Sequence, residues 1–419
     1  YFPDISTSAP INPATGAVSG YATSVPGTNN QKMGDLRVDH TFNDSNRLTV
    51  TYHVSTQATS TSPVSGVYSG LGLLHTNRFN NMVSGSYTHV FNANLVNEAR
   101  GGFNLQHELT QANGTVQSFL KNIGFSDADI TAYGSVAGAQ NLSLIGNPVI
   151  SLGSNFSSFG TGGRSSDRPI SQNLATFGDT LTWNVGRHTV LFGGDFVRNQ
   201  ADDGFASTRG TPQGTLTYKG TGPNVISNLL LGESPNSVSF VPLSRPPMDV
   251  YDWEDGFYAQ DSFKVNPRLT LDLGLRYDIY TPFIDVHDLE ANFDPTYFDA
   301  STGQKGRYII PSNKTLQYVS DGFKSVGYVT ASQVGLGRGL METDKNDWGP
   351  RAGFAYRITE KSVIRGGYGV YYPTPAAQIV RDAIATNPFN QAFSATPAPT
   401  APFDPWPVGG EAAPGVSPN

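Results

Sequence analysis

Leu269–Tyr280, LTLDLGLRYDIY, sorts its residues strictly by parity. Leu269, Leu271, Leu273, Leu275, Tyr277 and Ile279 fall on one face of an extended chain. Thr270, Asp272, Gly274, Arg276, Asp278 and Tyr280 fall on the other. A helix would scatter those charges among the leucines, so the period of two marks a strand with one apolar and one polar surface. Immediately upstream, Phe257, Ala259, Phe263 and Val265 alternate with Tyr258, Gln260, Ser262 and Lys264, with Asp261 interrupting the apolar set. Asn266-Pro267-Arg268 joins the two runs with turn chemistry, which makes them a hairpin.

Four more hairpins repeat this unit. Leu36–Phe42 and Leu48–Val54 flank Asn43–Asn46; Val83–Phe91 and Leu95–Leu105 flank Asn92-Ala93-Asn94. Ala175–Trp183 and Val190–Phe196 flank Asn184–Arg187, and Ala352–Tyr356 and Ile364–Tyr372 flank Thr359–Ser362. The turns within hairpins are short, whereas the connections between them, residues 55–79, 107–172, 199–254 and 281–346, run to about 25, 66, 56 and 66 residues. Compact soluble domains rarely repeat loops beyond about 15 residues; membrane β-barrels do, with short turns on one side and long extracellular loops on the other. The apparent strands are about 8–12 residues long, close to what a tilted strand needs to cross a bilayer.

Rings cluster beside the short turns (Phe42, Phe91, Trp183, Phe263, Tyr356) and toward the far ends (Tyr52, Phe103, Phe196, Tyr277, Tyr280, Tyr372), as two interfacial girdles would require. The opposite face carries Lys264, Asp272, Arg276, Asp278, Arg351, Arg357 and Arg365, charges that suit a wet lumen and not lipid. A soluble antiparallel sandwich also alternates, but it would have short loops at both ends. The expected fold is all-β: a transmembrane antiparallel β-barrel fragment of about ten strands in five hairpins.

The composition agrees. Gly and Pro make up 74 of 419 residues and aromatics 11%, and the formal charge is −7, which disfavours a nucleic-acid surface built on a basic patch. With no cysteine there is no disulfide framework, thiolate metal site or cysteine nucleophile. No apolar run approaches the ~20 residues of a membrane helix; Ile226–Leu231 stops at Gly232 and Glu233.

Several stretches resemble the β-barrel of TonB-dependent outer-membrane receptors, in particular the Oar-like group of acidobacteria. They are DGFYAQDSFKVNPRLTLDLGLRYDIYTPF (Asp255–Phe283), NDWGPRAGFAYRITEKSVIRGGYGVYY (Asn346–Tyr372) and DTLTWNVGRHTVLFGGDFVRN (Asp179–Asn199). DLRVDHTFNDSNRLTVTYHVS (Asp35–Ser55), THVFNANLVNEARGGFN (Thr88–Asn104) and ANFDP (Ala291–Pro295) are similar as well. The resemblance implies the outer membrane of a Gram-negative bacterium and active uptake of a bulky ligand. Its implied partners are outer-membrane lipid, an unidentified ligand at the extracellular loops and the TonB complex acting through a plug. It implies no enzyme and no cofactor. Barrels of that family have 22 strands and a plug, so the expectation is an internal piece: an open wall over residues 35–372, with edges near Asp35 and Tyr372. Residues 1–34 and the Pro-rich 373–419 would be flanking extracellular loop fragments. The alternative is an adhesion or surface-organising barrel without transport.

The lumen-facing candidates are Asp272, Arg276, Asp278, Arg351 and Arg365, either as ligand contacts or as a self-neutralising cross-strand ladder. Other motifs carry ordinary readings. His40, His89 and His188 lie near turns, where an interfacial imidazole is usual, and no histidine pair has metal spacing. Gly335-Leu336-Gly337-Arg338-Gly339 lacks the Lys-Ser/Thr of a phosphate loop and is expected to be a flexible loop. Asp252, Glu254 and Asp255, and Asp202 with Asp203, miss the calcium-loop frame and are expected to be solvated loop charge. The aromatic and basic residues of Phe298–Tyr308 are open to either ligand contact or packing within a loop. No catalytic constellation is present in the sequence.

Overall fold

The computed structural model describes residues 27–61, 74–112, 114–122, 126–128, 130–131, 148–152, 168–203, 214–219, 225, 236–240, 248–319, 321–325, 327–374, 388–389 and 393–395. The Ile226–Leu231 run, residues 1–26 and most of 373–419 lie outside them; the expected loop over 1–34 is corrected at its end, where Thr28–Gly34 is wall strand. Among the described residues no helix is long and apolar enough to cross a membrane.

The strands, in chain order, are β1 (Thr28–Asn43), β2 (Asn46–Thr61), β3 (Leu74–Asn92), β4 (Leu95–Ala112), β5 (Val149–Leu152), β6 (Arg168–Val185), β7 (His188–Asp203), β8 (Thr215–Tyr218) and β9 (Ser237–Phe240). They continue with β10 (Met248–Asn266), β11 (Leu269–Tyr280), β12 (Ile284–Asp285), β13 (Asn292–Phe298), β14 (Lys305–Ile310), β15 (Tyr328–Thr330), β16 (Asp344–Thr359), β17 (Ser362–Gly369) and β18 (Phe393–Ala395). Ten of them form one antiparallel sheet in the order β1-β2-β3-β4-β6-β7-β10-β11-β16-β17, with β12 added beside β10. The sheet is the five expected hairpins laid side by side. It is open, with β1 and β17 at its two ends.

The register carries a constant stagger. Asn46 pairs with His89, yet β3 runs on to Asn92 before turning; Leu95 pairs with Trp183, yet β6 runs on to Val185. His188 pairs with Phe263 and Leu269 with Tyr356, and each time the receiving strand again continues before its turn. A shift of one sign at every hairpin tilts the strands against a common axis, which is the geometry that closes sheets into barrels.

Most wall strands are longer than the sequence pattern suggested, at 16 to 19 residues for eight of the ten. Each alternates only near its short turn. Farther along, the apolar face becomes polar: Asn81, Asn173 and Gln200 occupy the row that Val54 and Leu105 share. About ten alternating residues, tilted and rising ~3.3 Å each, make a band roughly 25 Å tall, and the remaining strand length continues past it.

Among the described residues nothing packs over the apolar face. Leu36 is 60% exposed, Phe177 53%, Leu273 51% and Leu275 45%. A dry core lies instead at the loop ends of β10 and β11. There Met248, Val250, Phe283, Leu289, Ile310, Val319, Phe323 and Phe389 are buried together. Val250 pairs with Ala201, and both fall on the sheet's polar face by parity, so this module packs on that face. It includes the small sheet β13-β14-β15. A second small sheet runs β18-β9-β8-β5. The 281–346 connection is therefore in large part structured.

Candidate functional site

Directly paired residues share a face of a sheet, so register alone groups the candidates. Asp272 pairs with Gly353, Arg276 with Tyr258 and Gly349, Asp278 with Gly256 and Asp347, Arg351 with Gly274, and Arg365 with Ala355. All five stand on the polar face. Tyr280 shares that parity too, so it is no member of the outer ring girdle.

The structure joins only some of them. Arg276 donates from Nε to Asp278 Oδ1 at 2.8 Å and from Nη1 to Asp195 Oδ2 at 3.0 Å. Asp195 is also 3.7 Å from Arg100 Nη2. The Arg276 guanidinium lies 5.9 Å from the Tyr258 ring centroid, and the Tyr258 hydroxyl meets Thr180 Oγ1 at 2.7 Å. Arg100, Asp195, Arg276 and Asp278 are thus a mixed-sign ladder across the strands. Asp272 stands apart, accepting from Ser262 Oγ at 2.7 Å. Arg351 is 4.6 Å from the Tyr371 ring centroid, and Arg365 is exposed.

Two glycines let the ladder lie flat. A Cβ on Gly193 would overlap the Tyr258 ring, and one on Gly256 would overlap the Arg276 guanidinium. Between these side chains the wall is shallowly recessed. A concavity of about 530 Å³ is floored by Thr49, Thr51, Ser84, Ser86, Gly102 and Gly178 and edged by Arg100 and Asp195. A smaller one of about 230 Å³ lies between Asp195, Tyr258, Arg276 and Arg351. Asp195 and Tyr258 were missing from the sequence candidates. Their signal was parity: each falls opposite Phe192, Phe196 and Phe257 on its own strand.

At the loop end, three expectations change. Arg338 in the glycine-rich run is no flexible loop residue: Nε donates to Asp288 Oδ1 at 2.8 Å and Nη2 donates to the Asp285 carbonyl at 3.0 Å. Asp288 adopts φ +60°, and Ser312 Oγ donates to its other oxygen at 2.5 Å. Glu290 accepts from the Asp285 amide at 2.7 Å. Burial pushes the Glu290 carboxyl up to about 8, opposed by the hydrogen bond from the Asp285 amide and by Arg338 and reinforced by the Asp285 and Asp288 charges; burial also raises Asp285. Asp252 is not solvated loop charge either. It sits on β10, 1% exposed, and neither carboxylate oxygen has a hydrogen-bond partner within 3.5 Å among the described residues. Glu254 and Asp255 also lie on β10, and Asp202 and Asp203 on β7. In Phe298–Tyr308, Tyr308 stacks edge-on against Phe293 and Phe323. Among the described residues no group of three or more His, Asp or Glu is arranged to hold a metal.

The turn-proximal histidines do sit among rings. His40 meets Phe42 and His89 meets Phe91 with centroids 4.4 Å apart, and His188 stacks on Phe263 at 4.2 Å. His188 Nδ1 is 2.6 Å from Asp261 Oδ2, which gives the one charge interrupting that apolar stripe a partner.

A staggered antiparallel sheet with one bare apolar face and one hydrogen-bonded polar face defines the wall of a membrane β-barrel. A family model described as "Outer membrane beta barrel domain" matches residues 4–418, and the chain belongs to that family. Its place is the outer membrane. A comparison with curated protein sequences gives no match. Solved structures similar to it include the copper transporter OprC (11% identity, 83% of this chain and 37% of that one, TM-score 0.40). Others are the siderophore receptor PiuA from Acinetobacter baumannii (11%, 82% and 42%, 0.40) and the closed form of the Ferric-Catecholate import receptor Fiu from K12 E. coli (11%, 81% and 43%, 0.42). The chain spans about two fifths of the length of these structures.

Proposed function

We propose that the chain is part of the barrel wall of a TonB-dependent outer-membrane transporter, with its apolar face toward lipid and its polar face lining the lumen. Asp272, Arg276, Asp278, Arg351 and Arg365 are then lumenal. The observation that carries the reading is the asymmetry of cover. The loop module folds onto the polar face, while Leu273 and Leu275 lie bare. A loop that closes over the inner wall at its extracellular end is placed to meet cargo before it descends. The wall alone supplies a boundary and polar contacts, and the driving force comes through a plug and TonB. The motifs from Asp179 to Asn199, Asp255 to Phe283 and Asn346 to Tyr372 support this over adhesion.

The cysteine-free sequence allows a direct test of the facing. Single substitutions Leu273→Cys and Leu275→Cys in outer-membrane vesicles should react with a lipid-partitioning maleimide and resist a water-soluble one; Arg351→Cys and Arg365→Cys should do the reverse. For transport, cells carrying the intact gene should accumulate at least one of radiolabelled cobalamin, ferric siderophore, oligosaccharide or peptide. A protonophore should abolish that accumulation. Uptake indifferent to the protonophore would refute energised transport and favour the passive surface role.

A further inference from the structure

Across the polar face, the arginines divide into two sets. Arg37 pairs with Asp39 at 2.7 Å, and Arg47 reaches the same carboxylate at 3.9 Å. Arg78 pairs with Glu108 at 2.5 Å, Arg100 with Glu98 and Asp195, and Arg276 with Asp195 and Asp278. On β16 and β17, Arg351, Arg357 and Arg365 share that face, and none of the three meets a carboxylate among the described residues. All three are exposed, and so is Lys264, in the row of Arg365 on the same face but three strands away. The nearest acid by register, Asp272, accepts from Ser262.

The ground between these cations carries mostly small residues, apart from Val363 opposite Arg357 and the Tyr371 ring, which lies by Gly369 and Arg351. Gly349, Gly353, Ala355, Gly367 and Gly369 alternate with the arginines on that face. A deep cavity would suit a small solute, but Arg357 and Arg365 line neither the two wall recesses beside Asp195 nor the one between Thr281 and Asn346. A flat strip of backbone with guanidinium posts instead suits an extended partner whose own backbone can come close while several carboxylates reach the posts in parallel. These 419 residues offer no such segment outside the folded wall and module. Outside the described residues the carboxylates are isolated: Asp4, Asp129, Asp167, Glu233, Asp382, Asp404 and Glu411.

We propose that the lumenal face of β16–β17 is a docking strip for an acidic segment of another polypeptide, held by Arg351, Arg357 and Arg365 over the glycine floor. This rests on the reading of the polar face as lumenal. The test uses the 419-residue chain refolded in detergent micelles and a fluorescent ten-residue Glu/Gly peptide, with a Lys/Gly peptide and inorganic phosphate as alternatives. The acidic peptide should bind, the basic one should not, and affinity should fall steeply with salt. Replacing all three arginines by Gln should weaken binding at least tenfold; replacing them by Lys should restore most of it, which separates lost charge from lost folding. Arg37→Gln should leave binding unchanged. Equal binding by the wild type and the triple Gln variant would overturn the proposal. So would full displacement of the peptide by millimolar phosphate, since the strip would then be a simple anion site. Neither readout involves cargo or energy, so failed uptake in cells and failed docking here are separable results.

Discussion

Leu273 and Leu289 are the same residue in two different solvents. Leu273, in the wall, is 51% exposed with no protein layer over it; Leu289, in the loop module, is wholly buried among Val250, Phe283, Ile310 and Phe323. The module is stabilised as soluble proteins are, by taking apolar surface out of water. The wall gains nothing comparable from its own packing. Its stability comes from a backbone ladder closed strand to strand, and from lipid supplying what a core supplies elsewhere. Two regions a few residues apart in sequence therefore obey different rules, and substitutions that respect one should violate the other.

The largest break is expected in the module. Arg338→Ala leaves the Asp288 carboxylate, 2% exposed, with Ser312 as its remaining side-chain partner. Removing one member of a buried ion pair costs about 3–5 kcal/mol. Arg338 is itself 43% exposed, so about 3 kcal/mol is the expectation. Amide exchange of residues 283–340 should rise sharply while the wall strands keep their protection. Loss of protection in β10 and β11 at their turn ends would show that module and wall unfold as one unit.

In the wall the sensitive change is charge toward lipid. Leu273→Arg should cost about 2–4 kcal/mol when folding is measured in bilayers, whereas Thr270→Arg, on the polar face, should cost much less. Equal penalties at the two positions would mean that both faces of β11 meet the same medium.

These differences also explain what was legible beforehand. The five hairpins could be read because lipid on one side and water on the other impose a strict period of two, as in Leu269–Tyr280. The same strands vanished from view past the band, where Asn81, Asn173 and Gln200 stand on the formerly apolar face and alternation ceases. Asp252 was misplaced for this reason: with acids at 252, 254 and 255, β10 looks like a loop. The module was illegible because its core combines Met248 and Val250 of the wall with residues from Phe283 to Phe389, a long-range assembly without a local period. On the polar face, Asp272, Arg276 and Asp278 were visible by parity. Asp195, the partner of Arg276, lies 81 residues before it, and only the strand order brings it near.

The finest test of the comparison is pH, because the module holds a protonated acid that the unfolded chain would not. Glu290 rises from an ordinary 4.5 to about 8 through burial, and Asp285 shifts in the same direction. Between those two values the folded module keeps the Glu290 proton and the opened one releases it. The unfolded state thus binds fewer protons, and stability falls as pH rises. The loss should begin near pH 4.5, accumulate to about pH 8 and stop there, once both states are ionised. Its size is on the order of 2 kcal/mol, allowing for relaxation and for the nearby Arg338. Exchange of the Leu289 and Ile310 amides, measured from pH 5 to 9 and corrected for intrinsic rates, should track this window. Glu290→Gln should flatten most of it, leaving the smaller slope from Asp285. The wall amides around Leu273 should show no such slope, and a parallel trend in both regions would mean that the module's carboxylates hold the wall together as well.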